Sequence, residues 1–157
     1  MEQPFALTNP VFAGFLVAGG LMILKLMLQG WITVYRMIRA DAGLLNPEDL
    51  LPGPANRDPR PEQLEPNDYV ERSRRVQRND LESIPAFLAA GLLYVAIRPA
   101  PALAFTLFAV FVIARLAHTI AYMTGQRHEV RATLFSIGSL VVVVMAVQIL
   151  IAGLTAG

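Results

Sequence analysis

Three stretches of this chain, roughly residues 10–38, 101–124 and 130–153, are apolar for about as long as a helix must be to cross a bilayer. About 20 helical residues, at about 1.5 Å each, span the hydrocarbon core. A fourth apolar stretch, 83–97, is shorter and follows directly on a dense charge cluster, Glu71-Arg72-Ser73-Arg74-Arg75-Val76-Gln77-Arg78-Asn79-Asp80-Leu81-Glu82. The helix that holds both is expected over about 69–97, starting outside the membrane and entering it near Arg78. At 55% hydrophobic the chain is more apolar than an ordinary soluble domain. The expected fold is an all-α membrane protein: a four-transmembrane-helix bundle forming one domain over 1–157, with a loop at about 40–68.

The first apolar segment reads as a membrane helix and not as a cleaved signal. No basic residue precedes it, and it runs past Lys25 and Gln29 to Arg36. With no cysteine, disulfides, thiolate nucleophiles and cysteine metal sites are excluded. The two histidines, His118 and His128, have no ligand spacing around them, so no metal is expected. No glycine-rich phosphate loop or nucleophile elbow occurs, and no nucleic-acid partner is expected.

Basic residues are unevenly placed. Arg36, Arg39, Arg57, Arg60, Arg72, Arg74, Arg75 and Arg78 flank or fill the 40–68 loop, and Arg127 and Arg131 border the turn after the third helix. The opposite side shows only Arg98. Positive residues near membrane ends favour the cytoplasm, so both loops are expected there and both termini across the membrane. Pro47, Pro52, Pro54, Pro59, Pro61 and Pro66 forbid a continuous helix in the loop and favour an extended surface segment. Asn67 or Asp68 is the expected N-cap of the second helix, and Pro85 is expected to kink it.

Polar residues inside these segments point to a site. Arg75, Asn79 and Glu82 share one helix face, as do Arg115, His118 and Tyr122. Arg115 lies about nine residues, or roughly 13 Å, from the cytoplasmic end. At that depth a guanidinium needs a carboxylate or a water-filled space, and Glu82 is the expected partner. An Arg115–Glu82 pair alone would be explained equally well as a helix clamp. Taken with Arg75, Arg78, Asn79 and Arg131, the excess of guanidiniums suggests an anionic ligand held by charge-assisted hydrogen bonds. His118 reads as an interior hydrogen-bonded residue before it reads as a base. Lys25 needs a carboxylate or helix C-terminal carbonyls, Gln29 and Gln148 are candidates for interhelical hydrogen bonds, and Gly14, Gly19, Gly20 and Gly138 for close helix packing.

Four strings in order, Asn46-Pro47-Glu48-Asp49, Val70-Glu71-Arg72, Arg75 through Glu82, and Ala114-Arg115-Leu116-Ala117-His118-Thr119-Ile120-Ala121-Tyr122, resemble the MAPEG family of membrane-associated proteins in eicosanoid and glutathione metabolism. The likeness runs from about Lys25 to Ile149 and lies nearest the prostaglandin-synthase branch. It implies a homotrimer with a cytoplasm-facing glutathione site at each subunit boundary, in a bacterial inner membrane or one of endoplasmic-reticulum type. By that resemblance Arg75, Arg78, Asn79, Glu82, Arg115, His118 and Tyr122 hold glutathione, with Arg36 or Arg39 reaching a neighbouring subunit's ligand. Arg131 would lie beside the sulfur as the catalytic residue. In the prostaglandin-synthase branch a Ser follows that arginine and a Tyr lies four residues on; here those positions are Ala132 and Phe135. The missing hydroxyls argue against prostaglandin isomerisation. They leave a glutathione transferase or peroxidase acting on lipophilic electrophiles or hydroperoxides from the bilayer. The alternative is a non-catalytic lipid-binding or scaffold protein of the same fold. A transporter has the least support, since no inverted repeat is visible.

Overall fold

The computed structural model describes residues 3–156, so the outermost residues of the expected 1–157 domain lie outside it. Four helices make up most of the chain: α1 Pro10–Ala40, α2 Asp68–Ala96, α3 Pro101–Met123 and α4 His128–Thr155. No strand occurs among the described residues. Local chemistry explains the boundaries. The Asn9 side chain accepts from the Val11 amide at 3.0 Å, and Pro10 follows at the first helical position, where no amide hydrogen is needed. Asn67, one of the two expected caps, accepts from the Tyr69 and Val70 amides at the start of α2. Gly125, at φ 69°, carries the chain out of α3 in the left-handed region that glycine enters without strain.

The loop is more ordered than an extended segment. Two short 3-10 turns, Pro47–Leu50 and Pro61–Leu64, each begin on a proline. Gln63 anchors the loop: it is buried, donates to Asp41 Oδ1 at 2.7 Å, and accepts from Asn56 at 2.7 Å. Leu44 N donates to Gln63 O at 2.8 Å, closing the loop against the end of α1.

Of the four helices, α1, α3 and α4 are long and apolar enough to cross a membrane. The fourth, α2, is 29 residues long and continuous through Pro85, with its charged residues gathered between Asp68 and Glu82. That polar half runs beside the second half of α1 as an interhelical ladder. Lys25 pairs with Asp80, Gln29 Nε2 donates to Ser73 Oγ at 2.8 Å, Thr33 and Ser73 hydroxyls meet at 2.8 Å, and Arg36 donates to Tyr69 O at 2.7 Å. Toward the other membrane face the polar ladder gives way to aromatic packing. Phe87 stacks on Phe111 at 3.9 Å, Phe15 meets Phe108 at 5.6 Å, and Tyr94 donates to Gln148 Oε1 at 2.7 Å. Lipid is as apolar as these side chains, so the bundle is held by close packing and interhelical hydrogen bonds more than by transfer from water.

Close approach depends on glycine at particular points. A Cβ on Gly91 would overlap the Phe15 ring, and one on Gly14 would lie 2.5 Å from Phe105. Gly19 and Gly138 also face neighbouring helices, as expected, whereas Gly20 has open space before it within the single chain. The bundle places the 41–67 loop, the start of α2, the end of α3 and the start of α4 at one end.

Candidate functional site

At that end α2, the α3–α4 turn and α4 enclose a cleft of about 210 Å³ lined by Asp68, Arg72, Arg75, Tyr122, Gly125, Gln126 and Arg131. Successive turns of α2 supply Asp68, Arg72 and Arg75 at i, i+4 and i+7, the spacing that keeps side chains on one face. Asp68 bridges the two arginines: Arg72 Nε donates to Oδ2 at 3.0 Å and Arg75 Nη2 to Oδ1 at 3.0 Å. Arg131, on the first turn of α4, lays its guanidinium over the Tyr122 ring at 4.6 Å, and its Nε is buried with no hydrogen bond. The cleft therefore gathers three guanidiniums and one carboxylate, a net positive seat for an anion.

Polar side chains continue from the cleft into the bundle. The Tyr122 ring lies 4.9 Å from His118, and His118 lies 6.1 Å from Phe135. Above the same Phe135 ring sits the Arg115 guanidinium at 5.8 Å. Arg115 is wholly buried and Nη2 donates to Asp80 Oδ1 at 2.6 Å, while the other Asp80 oxygen takes Lys25. The expected partner of Arg115 was Glu82, and the structure corrects this: Asp80 is buried and Glu82 is exposed. The reason is helical phase. Asp80 falls on the face of α2 that buries Ser73, Val76, Ser83, Ile84 and Phe87, whereas Glu82 follows Arg75 and Asn79 on the opposite face.

The expected site residues fall into four groups. Arg75, Tyr122 and Arg131 line the cleft. Arg115 and His118 are buried deeper and reach it only through the ring contacts with Tyr122 and Phe135; Arg115 Nε, Arg115 Nη1 and His118 Nδ1 make no hydrogen bond. Arg78, Asn79 and Glu82 lie on α2 outside the cleft, with Arg78 and Glu82 exposed and Asn79 Nδ2 donating to Arg75 O at 2.7 Å. Arg39 is exposed at the end of α1, and Arg36 is engaged within its own chain, against the Tyr69 carbonyl and over the Tyr69 ring at 4.2 Å.

Asp68, Arg72, Gly125 and Gln126 are cleft residues that sequence reasoning did not single out. The signal for the first two was present: they continue the Arg75–Asn79–Glu82 stripe one and two turns toward the helix start. Gly125 and Gln126 belong to a turn and follow no periodicity.

Phe135 and Ala132, the positions without hydroxyls, are both half-buried on α4. Phe135 presents its ring to Arg115 and His118 and carries no hydroxyl.

Known proteins share this arrangement of sequence. Prostaglandin E synthase of Homo sapiens is 34% identical over 144 residues, covering 92% of this chain and 91% of its own. Microsomal glutathione S-transferase 1 of Homo sapiens is 38% identical over 143 residues, covering 90% of each chain. The same transferase from Bos taurus is 36% identical over 142 residues, again covering 90% of each. The MAPEG family pattern matches residues 15–151, which takes in α2, α3, most of α1 and α4, and every cleft residue. This chain is an integral membrane protein of the MAPEG family.

Proposed function

We propose that this protein is a glutathione-dependent membrane transferase or peroxidase that acts on lipophilic electrophiles or hydroperoxides. The observation that carries the reading is the cleft itself: Arg72, Arg75 and Arg131 around Tyr122, at the end of a membrane bundle whose relatives include a glutathione S-transferase. Glutathione brings two carboxylates and a thiol, and guanidiniums bind carboxylates through paired, charge-assisted hydrogen bonds. Arg131 acts on the sulfur. A cation beside a thiol favours the thiolate, which is the nucleophilic form, and lowers the thiol pKa. The thiolate then attacks an electrophile arriving laterally from the bilayer. Ala132 and Phe135 give the sulfur no hydroxyl partner at either position, so ionisation rests chiefly on Arg131 and prostaglandin isomerisation is disfavoured.

The protein acts as a homotrimer with the ligand shared between subunits. Two observations support this. The cleft of a single chain, at about 210 Å³, is smaller than the roughly 300–1,000 Å³ of ordinary ligand pockets, so a second chain would complete it. In addition, Arg78 and Glu82 are exposed where α2 is expected to enter the membrane, and charges left against lipid are disfavoured, so a protein partner would cover that face. The neighbouring copy would then bring Arg36 or Arg39 toward the ligand while Arg78, Asn79 and Glu82 complete the site. The Arg-rich end faces the cytoplasm, as the distribution of basic residues favours.

The same residues in the same fold, without turnover, would serve a lipid-binding or scaffold protein; the absent hydroxyls at Ala132 and Phe135 favour that second reading. Titration of purified protein with glutathione tests binding. Arg75→Ala should weaken binding about tenfold to a hundredfold, the loss of a charge-assisted hydrogen bond, while Arg57→Ala, in the exposed loop, should leave it unchanged. Equal affinities for the two variants would refute the site, and binding without turnover of any electrophile or hydroperoxide would favour the non-catalytic reading.

A further inference from the structure

We propose that Asp68 is a built-in stand-in for a ligand carboxylate, occupying two of the cleft's three guanidiniums until a carboxylate ligand displaces it. The inference rests on the cleft being the glutathione site and adds how its affinity is set. One carboxylate spans Arg72 and Arg75, with each oxygen accepting from a different guanidinium at 3.0 Å. A ligand carboxylate seated on Arg72 Nε and Arg75 Nη2 would take the same arrangement, and these two donors cannot serve both carboxylates at once. Of the cleft's charged side chains, Asp68 is the one anion among three cations.

The contact is built to be exchangeable. The Asp68 side chain is 67% exposed, against 38% for Arg72 and 41% for Arg75. An exposed pair of this kind is weak and is easily outcompeted by a better-placed anion. The guanidinium donors are held more firmly than the carboxylate that accepts from them. Arg72 Nη1 lies across the α3–α4 turn, in space available only because Gly125 has no Cβ; an added Cβ would sit 2.6 Å from it. When Asp68 swings out, Arg72 remains braced by the turn and is already positioned for the incoming carboxylate. Asp68 also sits in the first turn of α2, where the helix dipole favours a negative charge, so it returns when the ligand leaves. Hydrogen bonds from Arg75 first, and then Arg72, hold its carboxyl below the usual carboxylate range, and the competitor is therefore ionised throughout the neutral range.

The consequence is selectivity. A ligand with a free carboxylate gains what Asp68 gives up, whereas a neutral ligand of the same shape cannot replace it. The test is titration of the unmodified protein, Asp68→Asn and Asp68→Glu with glutathione, glutathione diester and glutarate. Asp68→Asn keeps the size of the side chain and leaves the Asn67 cap in place. It should bind glutathione about three- to tenfold more tightly, the scale of one or two exposed ion pairs, with Asp68→Glu close to the unmodified protein. The diester should bind both proteins alike. Unchanged or weaker glutathione binding by Asp68→Asn would overturn the proposal, as would an equal gain for the diester. If the unmodified protein binds no glutathione, the functional reading fails but glutarate still decides: tighter glutarate binding by Asp68→Asn supports the stand-in role, and no difference between the two proteins overturns it.

Discussion

Arg115 and Asp80 meet at 2.6 Å with neither side chain exposed, and Lys25 approaches the other oxygen of the same carboxylate. Three charges thus share one buried point where α1, α2 and α3 come together, and they sum to one positive charge. A buried ion pair is costly to desolvate and gives little net stability, but removing one partner leaves the other uncompensated. Asp80 is therefore the member on which the arrangement depends.

Asp80→Ala should destabilise the bundle by about 3–5 kcal/mol, because it leaves two buried cations without an anion. Lys25→Met should cost far less, since it removes the excess charge and leaves Arg115 paired. Thermal unfolding in detergent reads both variants. An Asp80→Ala protein as stable as the unmodified one, or a Lys25→Met protein equally damaged, would show that the buried charges are not balanced in this way.

Gly91 faces Phe15 so closely that any Cβ overlaps the ring. Gly91→Ala should cost about 1–3 kcal/mol by forcing Phe15 from its place against Phe87 and Phe108, the usual cost of overpacking. Phe15→Leu in the same chain should recover part of that loss. Unfolding temperatures of the single and double variants provide the comparison, and a single variant of normal stability would mean that α1 and α2 shift apart freely.

The helices were legible because their causes are local. Apolar length marked α1, α3 and α4, and Asn67 and the prolines marked α2 and the loop. Arg115, His118 and Tyr122 were also legible as one face of α3, since a 3.6-residue period needs no tertiary information. The identity of Arg115's partner turned on helix rotation: Asp80 and Glu82 are two residues apart on α2, at nearly the same depth, and differ by about half a turn. Depth favoured neither, and the apolar phase of Val76, Ile84 and Phe87 was the deciding signal. The Asp68 bridge was hidden for another reason. Exposed arginines in a charge cluster look alike until a turn residue such as Gly125 brings another helix against them.

Arg78 and Glu82 provide a test of assembly, because both are exposed and lie outside the cleft of one chain. In a shared site Arg78→Ala should still weaken glutathione binding about tenfold or more, the scale of a lost charge-assisted hydrogen bond. The detergent-corrected mass of the purified protein should give three copies. A stable monomer that binds glutathione with full affinity would contradict the shared site.

The central claim is that this cleft binds glutathione and that Arg131 holds its sulfur as a thiolate. The most direct measurement is the ultraviolet absorbance of the thiolate in bound glutathione, followed against pH for the unmodified protein and for Arg131→Ala. The unmodified protein should show the bound thiol ionised at neutral pH, below the value of about 8.5 typical of a free cysteine thiol. Arg131→Ala should still bind glutathione through Arg72 and Arg75 but titrate near that free value and lose most turnover. Equal titration curves for the two proteins, or no thiolate signal in either, would contradict the account.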